Sequence, residues 1–344
     1  MEQQRSPLKI SITRSVVLIL IAGAFAVGIF VGRSTWLFSP GQEEQGEPTP
    51  PALSEEFRFI RQSLQPDVQD ARKVRELPPF RYKVNALIDE KIEDGEASSV
   101  AVYFRDLDNG NWFGIGDQEP FSPESQVKIP LMIAYFKWAE TNPLVLRKKL
   151  AAVAPSGQDE PRFLRPPRTL EPGRSYTVND LIFRMVAYGD NDAYALLNAN
   201  LPAKRRSRIY QDLYVNYDPL KQDDALSLSA YASFFRVLFN ASYLSEEMSE
   251  KALRYLSHSS FRSGMAAGVP PDIDLACKAG ERVLEAADDD RPGVVQLHEF
   301  GIVYHPGRPF LLGITARGTD YEDLSVVIRD ITKLIYTEVA HQSN

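Results

Sequence analysis

The chain has 344 residues, more than most single hydrophobic cores need, so one large domain or two interleaved subdomains are expected. Its formal net charge of −7 shows no basic excess, and nucleic acid is therefore not an expected partner. Cys277 is the only cysteine and the four histidines are scattered, so neither an internal disulfide nor a metal site is expected.

An uncharged apolar run, residues 15–32, lies near the N-terminus and approaches the roughly 20 residues that span a bilayer. Three basic residues precede it: Arg5, Lys9 and Arg14. By the positive-inside rule, residues 1–14 are expected to be a cytoplasmic tail and 15–32 a transmembrane anchor, with the rest of the chain outside the cytoplasm. The alternative is a cleaved signal peptide and a secreted protein. Its A-x-A-like cleavage sites, 22–24 and 24–26, lie inside the apolar run and not after it, which favours the uncleaved anchor.

A segment rich in Pro, Glu and Gln, residues 33–56, follows the apolar run and is expected to be an extended linker. Residues 57–77 are mixed and amphipathic, and we expect them to pack against the folded domain. We assign the whole folded domain to residues 57–344, with its regular structure starting near Pro79.

The first regular elements are predicted to be a helix and a β-hairpin. Apolar residues at helical spacing indicate the helix over 81–94. The segments 98–104 and 112–115 have the composition of strands, and the Asn109-Gly110 pair between them is typical of a tight turn. This unit leads the chain into a polar turn.

The stretch after that turn, residues 121–134, contains a serine three residues before a lysine, Ser125 and Lys128, at the start of an apolar run typical of a buried helix. Residues i and i+3 share a helix face, so the hydroxyl and the amine can meet. A lysine whose pKa is lowered by burial or by a nearby cation can take the proton of the serine and make it a nucleophile. The pair is chemically sufficient to start acyl transfer, although a helix-capping serine followed by a solvated lysine has the same pattern.

Nearly every regular element from Ser125 to about residue 264 is predicted to be helical. Apart from the helix at Ser125, the predicted helices are 181–188, one from Ala193, 203–213, 229–239 and 245–256. Thr177 begins a sequence like a capping box, and Ser229 and Ser245 are predicted helix caps. The polar, proline-rich segment 142–174 is expected to be a loop with one short helix. Together these elements predict a helical subdomain over about 125–264.

The hydrophobic period returns to two in the last third of the chain. Strands are predicted at 275–280, 294–304 and 310–316, and an apolar stripe at helical spacing over 324–339 predicts a helix on the sheet. The expected fold class is therefore α/β (α+β): a five-stranded antiparallel sheet flanked by N- and C-terminal helices, with the all-helical subdomain inserted.

Three features lie at junctions between the helical segment and the sheet, where ligand clefts form. They are Ser125 with Lys128, Asp190-Asn191, and Lys278-Ala279-Gly280. Their order and context resemble the superfamily of class A β-lactamases and penicillin-binding proteins, whose motifs are S-x-x-K, S-D-N and K-T-G in that order. The resemblance covers roughly residues 57–339. It implies a β-lactamase/transpeptidase-like fold, a serine hydrolase acting on a small-molecule or peptide acyl donor, and no cofactor.

The resemblance implies catalytic roles for four residues. Ser125 would attack an amide or lactam carbonyl, and Lys128 would take its proton. Asn191 would hydrogen-bond a side-chain amide of the substrate. Lys278 would attract a carboxylate, bias proton transfers across the cleft and, as a second cation, help to keep Lys128 neutral.

The resemblance also implies a substrate-binding set: Asp190, Ala279, Gly280 and Arg282. The backbone N–H of Ser125 and one from the strand just after Gly280, at about Arg282, would form an oxyanion hole. Gly280 would allow the backbone to approach the ligand closely.

Two positions depart from the family pattern. Gly189 stands where S-D-N has serine, so the hydroxyl that relays a proton to the leaving nitrogen is absent. The adjacent Tyr188 is a candidate proton relay, although a core tyrosine is the favoured interpretation. Ala279 stands where K-T-G has threonine, which removes a hydroxyl that would bind a substrate carboxylate.

A third departure concerns the water that would release the acyl group. Class A enzymes activate it with a glutamate in an E-x-x-L-N context, and the nearest match here is Asp212, which a solvated position at a helix end explains better. Weaker candidates are Asp218, Asp223 and Asp224. We therefore expect that acylation can survive where fast lactam hydrolysis does not.

Cys277, beside Lys278, is either a thiol of lowered pKa or an inert buried side chain, and its strand context favours the second.

Two functions are compatible with these residues. The favoured one is a membrane-tethered serine hydrolase that forms an acyl-enzyme with a cell-wall peptide of the D-Ala type or with a β-lactam. The alternative, motivated by Gly189 and Ala279, is a binding or scaffold protein on the same fold that has lost turnover.

Overall fold

A computed structural model describes residues 57–61, 78–119, 121, 124–153, 163–218, 226–286 and 293–343. These residues belong to one unit of the chain, 50–344. The predicted tail, anchor and linker, 1–56, lie outside the described residues. Among the helices that the structure describes, none is both long enough and apolar enough to cross a membrane.

The described elements are an N-terminal helix and hairpin, a mostly helical segment, three further strands and a C-terminal helix. The strands are β1 Ser99–Asp106, β2 Trp112–Ile115, β3 Lys149–Ala151, β4 Ser175–Thr177, β5 Leu275–Glu285, β6 Val294–Val303 and β7 Phe310–Gly318. The α-helices are α1 Pro78–Glu93, α2 Lys128–Ala139, α3 Leu144–Arg147, α4 Val178–Ala187, α5 Asn191–Asn200, α6 Ala203–Asp212, α7 Leu228–Phe239, α8 Glu246–Leu256 and α9 Tyr321–Ser343. Two 3₁₀ turns, Glu124–Val127 and Met265–Gly268, complete them.

The central sheet has five strands in the order β2-β1-β7-β6-β5, and its neighbouring strands are antiparallel. The first two strands come from the N-terminal hairpin and the other three from the end of the chain, so the predicted fold class is confirmed. β5 lies at one edge of this sheet. Since an edge strand pairs on one side alone, β5 can present backbone groups to a cleft.

Each face of the sheet is covered, and the side chains alternate between the two faces. Val102 and Phe104 of β1 belong to the cluster shared with α1 and α9, whereas Ala101 and Tyr103 belong to the cluster shared with the inserted helices. Strands with apolar residues on both sides are stable because neither face is left in water. α9 packs on β6, β7 and α1, as its apolar stripe predicts.

The inserted segment is mostly helical, and some of its predicted helix caps are confirmed. Thr177 caps α4 in a reciprocal capping box with Asp180, as predicted. Ser245 caps α8. The prediction of Ser229 as a cap is wrong: Ser227, two residues earlier, caps α7 and accepts a hydrogen bond from the backbone N–H of Ala230.

The strands also differ from the sequence prediction in two ways: one short pair was missed and one strand is longer than predicted. The loop 142–174 contains the predicted short helix, α3, but the β3–β4 pair that closes it was missed because each strand has only three residues. β5 continues five residues beyond Gly280, where polar residues interrupt the apolar pattern. The extension runs along the edge of the sheet, where such residues remain partly exposed.

A short N-terminal segment, residues 57–61, docks onto the domain. The buried carboxylate of Glu250 accepts hydrogen bonds from the backbone N–H groups of Phe59 (2.7 Å) and Ile60 (3.2 Å). The hydroxyl of Tyr304 donates to the Phe59 carbonyl over 2.9 Å. The segment is therefore fixed to α8 and to the end of β6 by its main chain.

Candidate active site

The serine and lysine of the S-x-x-K motif lie within one helical turn. Ser125 is in the 3₁₀ turn Glu124–Val127, and Lys128 is the first residue of α2. Pro130 occupies the first turn of α2, where a missing N–H group costs no intrahelical hydrogen bond. α2 is apolar on nearly all sides and lies in the core. Lys128 is therefore buried with it, and only 2% of the residue is exposed.

The buried amine of Lys128 is held by acceptors from the turn between α4 and α5. Its Nζ donates to the Gly189 carbonyl oxygen and to Oδ1 of Asn191, each over 2.6 Å. A buried amine is stable only when its hydrogen bonds are satisfied, so these contacts fix the position of Nζ. The structure therefore brings Asn191 to Lys128, 63 residues away along the chain.

Local backbone chemistry shapes the turn that carries Asn191. Gly189 has φ of +74°, a left-handed conformation that glycine adopts without strain. Asp190 caps α5, accepting a hydrogen bond from the Ala193 backbone N–H over 2.9 Å. The Asp190 side chain is almost fully buried, and burial raises its pKa. Asp190 is thus placed to orient the turn; its predicted contact with substrate stays a prediction.

Lys278 enters the same site from the sheet. It lies on β5, is 5% exposed, and its Nζ donates to the carbonyl oxygen of Ala279. Burial lowers the pKa of Lys278 to about 8, against the opposing charges of neighbouring groups that include Glu299 and Glu281. A Cβ atom built on Gly189 would lie 3.8 Å from this Nζ. The Lys278 ammonium therefore faces the volume that a serine side chain at position 189 would enter.

The 3₁₀ turn that carries Ser125 packs against β5. The site thus has a helical wall, formed by α2 and the turn at Gly189, and a sheet wall, formed by β5. The structure brings together the four residues for which the sequence predicted catalytic roles: Ser125, Lys128, Asn191 and Lys278. Their roles stay predictions.

Gly280 provides a close approach, but the nearest group is part of the protein. A Cβ atom at this position would lie 2.2 Å from Nε2 of His298, the cross-strand neighbour on β6. Any side chain at position 280 would therefore collide with the imidazole. The predicted reason for the glycine, approach to a ligand, is thus not the contact that the structure shows.

The other two members of the predicted substrate-binding set continue along β5. Ala279 is buried opposite Glu299, and the half-buried Arg282 lies opposite Gln296. The carbonyl oxygen of Ala279 accepts a hydrogen bond from Lys278. The backbone of Ala279 therefore takes part in the site, although its side chain has no hydroxyl. The oxyanion role of the Arg282 N–H stays a prediction.

Two titratable residues beside the site were not predicted, His298 and Glu299. Burial and the charge of Lys278 lower the pKa of His298 to about 3, so its imidazole is neutral at physiological pH. Burial raises the pKa of Glu299 to about 7, although it accepts a hydrogen bond from the Met265 backbone over 2.8 Å. The signal was visible in the sequence: both interrupt a strand that is apolar on both faces.

Two weaker candidates, Tyr188 and Cys277, pack among core side chains. Tyr188 packs edge-on against Phe183 with ring centroids 5.4 Å apart, which agrees with the favoured core interpretation. The hypothesis of a low-pKa thiol at Cys277 is wrong, because the thiol is fully buried and burial and Glu299 raise its pKa well above its usual value. The proton-relay role of Tyr188 stays a prediction.

Asp212 ends α6 and uses both carboxylate oxygens in contacts outside the site. Oδ1 accepts from Arg208 over 2.8 Å and Oδ2 from the Tyr243 hydroxyl over 2.9 Å. The Tyr243 carbonyl in turn binds Lys137, nine residues along α2 from Lys128, or about 13 Å at 1.5 Å per residue. This agrees with the helix-end interpretation. Asp223 and Asp224 lie outside the described residues.

Within the ranges that the structure describes, no group of three or more His, Cys, Asp and Glu side chains is arranged to hold a metal ion.

Comparison with protein families matches residues 79–339 to the model of the beta-lactamase enzyme family, Beta-lactamase2. The match spans most of the chain, and the chain belongs to this family. It is a serine hydrolase of the type formed by β-lactamases and penicillin-binding proteins. Comparison with curated protein sequences finds no significant match.

Solved structures with the same fold share little sequence with this chain. PBP-A superposes with a TM-score of 0.62 at 18% identity, over 78% of this chain and 98% of its own. A class A β-lactamase from Mycobacterium abscessus gives 0.62 at 17% identity, over 76% and 99%. A β-lactamase from Xanthomonas campestris gives 0.61 at 17% identity, over 76% and 98%. At these identities the likeness establishes the fold.

Proposed function

We propose that this serine hydrolase forms an acyl-enzyme at Ser125 with a β-lactam or with a D-Ala-type peptide of the cell wall. The observation that carries the proposal is the Lys128 amine, buried one helical turn from Ser125 and bonded to the Gly189 carbonyl and Asn191. A scaffold that had lost turnover would have no reason to keep this buried amine beside the serine, since burying it carries a free-energy cost.

The two acceptors on Lys128 suit a general base. A neutral primary amine has two N–H donors and one lone pair, and the Gly189 carbonyl and Asn191 Oδ1 match the two donors. The lone pair then accepts the Ser125 proton while Oγ bonds to the carbonyl carbon of the donor. The electron pair of the C=O bond moves to oxygen, and the resulting oxyanion is stabilised by backbone N–H groups, that of Ser125 among them.

Collapse of this intermediate breaks the C–N bond, and the leaving nitrogen needs a proton. This chain has Gly189 in place of the family serine that relays it, and the Lys278 Nζ lies 3.8 Å from where a Cβ atom at position 189 would be. We assign the proton delivery to Lys278, whose pKa of about 8 is near physiological pH and therefore suits a general acid. The same cation would attract a donor carboxylate.

The acyl-enzyme is proposed to be long-lived. Asp212 is engaged by Arg208 and Tyr243, so it does not supply a base for the deacylating water. A variant of PBP-A, one of the solved structures with the same fold, forms an acyl-enzyme complex with penicillin G. Penicillin G is therefore the first donor to test on this chain.

The test is intact-mass spectrometry of the full chain in detergent after incubation with penicillin G. The expected result is an adduct of one penicillin, present in the parent and absent in Ser125→Ala. Ser229→Ala, a serine at the N-terminal end of α7, is the matched control and should keep the adduct. An adduct that persists in Ser125→Ala would place the nucleophile elsewhere. No adduct with penicillin G or with a D-Ala-D-Ala thioester donor would overturn the proposal.

We also propose that the hydrolase is a single-pass membrane protein with its catalytic domain outside the cytoplasm. The uncharged run 15–32 and the three preceding basic residues support this topology. Removal of residues 1–32 should move the protein from the membrane fraction to the soluble fraction. Retention of the truncated protein in the membrane fraction would contradict the anchor.

A further inference from the structure

A short strap of chain, residues 163–168, meets the sheet wall of the site. The backbone N–H groups of Phe163 and Leu164 both donate to Oε2 of Glu281, each over 3.0 Å. Glu281 lies on β5, three residues after Lys278. A carboxylate that accepts two consecutive main-chain N–H groups forms charge-assisted bonds, which are stronger than those between neutral groups.

Aromatic contacts hold the same end of the strap on the far face of the sheet. The Phe163 ring stacks on Tyr321, the first residue of α9, with centroids 5.5 Å apart and an angle of 9°. It also meets Phe261 edge-on at 5.7 Å. Phe163 and Leu164 pack against the cluster shared by the sheet and α9, on the face opposite the inserted helices. Since β5 is an edge strand, the strap reaches this face around the outer edge of β5.

The other end of the strap leads to the side of the inserted helices. Leu170, two residues beyond the strap, is buried in the cluster shared with those helices, whereas Phe163 and Leu164 pack against the cluster on the opposite face. Six peptide units between Leu164 and Leu170 can span at most about 21 Å. The chain therefore passes from one face of the sheet to the other within the strap and the two residues after it.

We propose that Glu281 is a specificity-determining residue, whose carboxylate holds the strap across the edge of β5 and closes the cleft at that end. An extended ligand binds a sheet edge by pairing with its backbone. With the strap at Glu281, such pairing ends near Gly280. The proposal rests on the proposed acyl transfer and defines its substrate class: compact acyl donors, without a long chain running along β5 beyond Gly280.

The test compares two penicillins on the full chain, one with a compact acyl substituent and one whose substituent is extended by a peptide. The measured quantity is the ratio of their second-order acylation rates. Glu281→Ala removes the acceptor and should raise the extended-to-compact ratio by about tenfold, the effect of losing a well-bonded contact. Glu285→Ala, an exposed glutamate at the end of the same strand, is the matched control and should leave the ratio unchanged.

A second variant separates the strap from the charge of Glu281, which also acts on Lys278. Phe163→Ala removes the stacking on Tyr321 but no charge, and it should raise the ratio in the same direction. An unchanged ratio in both variants, with acylation intact, would overturn the inference alone. A change in Glu281→Ala only would assign the effect to electrostatics and would also overturn it. No acylation of the parent by either penicillin would overturn the proposed donor class and, with it, this specificity.

Hydrogen exchange tests the contact between Glu281 and the strap without measuring acylation. The amides of Phe163 and Leu164 should exchange about tenfold faster in Glu281→Ala than in Glu285→Ala or the parent. Equal exchange in all three proteins would show that Glu281 does not hold the strap.

Discussion

The two lysines of the site are held in contrasting ways. Lys128 on the helical wall is bonded to Gly189 and Asn191, which are 61 and 63 residues distant in the chain. Lys278 on the sheet wall is bonded to the carbonyl of the next residue in its own strand, Ala279. The position of Lys128 therefore depends on the packing of α2 against the turn between α4 and α5, whereas the bond of Lys278 to Ala279 lies within β5.

The two lysines should therefore respond to different changes: Lys128 to the loss of a neighbouring residue, and Lys278 to a change of pH. Neighbours supplied by the fold decide where the Lys128 amine lies, so removal of a neighbour should displace the base. Burial decides the protonation of Lys278, whose pKa falls to about 8, so pH should control its contribution. A site with one amine fixed by partners and one tuned by burial can use the first as a base and the second as an acid.

The largest effect is expected for the base. Lys128→Met keeps a long side chain in the buried position but removes the proton acceptor, so the acylation rate should fall by about 10²–10⁴-fold. The time course of adduct formation with penicillin G measures it. Lys137→Met, on the same helix but largely exposed, is the control and should keep the parental rate. A rate within twofold of the parent in Lys128→Met would remove Lys128 from the mechanism.

A smaller effect is expected when one partner of Lys128 is removed. Asn191→Ala deletes one hydrogen bond to a buried amine, which corresponds to about a 10- to 100-fold loss of acylation. Asn200→Ala changes an asparagine at the opposite end of the same helix, which bonds only locally to the Leu196 carbonyl among its described contacts, and should have little effect. Equal losses in both variants would show that helix stability, and not the position of Lys128, is responsible.

The sequence predicts this site unevenly, for physical reasons. Periodicity and caps such as Thr177 are local, so the element order and the sheet were predictable. The approach of Asn191 to Lys128 was anticipated only through a family resemblance. The Gly189 carbonyl was missed as an acceptor, because every residue has one and its direction depends on the φ of +74°. The contact of Glu281 with Phe163 was missed because no periodic pattern in the sequence relates a strand residue to a loop residue 118 positions away.

The pH dependence of acylation tests the sheet wall. The folded pKa of Lys278 is about 8, so the ammonium is present below that pH and is lost as pH rises through it. The acylation rate should therefore fall above pH 8, approaching tenfold per pH unit if the protonated form is required. Lys278→Met should lose this limb, and Lys333→Met, exposed on α9, should retain it.

The choice of donor then separates the two roles of Lys278. A β-lactam that lacks a carboxylate gains nothing from charge attraction but still needs a proton on its leaving nitrogen. The fall above pH 8 should persist for this donor if Lys278 is the acid. If the fall disappears, Lys278 acts only by attracting the carboxylate, and the assignment of proton delivery is wrong.

The smallest effect is expected from the carboxyl group behind the sheet wall. Burial raises the pKa of Glu299 from 4.5 to about 7, so between these values the folded chain holds a proton that the unfolded chain has released. The free energy of unfolding therefore decreases as pH rises from about 4.5 to 7 and levels off above it. In Glu299→Gln this contribution is absent. The melting temperature of the parent should fall by about 5 °C more between pH 5 and pH 8 than that of Glu299→Gln.

The control for this measurement is Glu322→Gln, an exposed carboxylate in the first turn of α9, which should keep the parental pH dependence. Parallel curves for Glu299→Gln and the parent would mean that the carboxyl group is not protonated in the folded state at pH 5–7. The same variant removes one of the negative charges that raise the pKa of Lys278. Its acylation limb should therefore move to lower pH, which links the stability of the sheet wall to the acid that it presents.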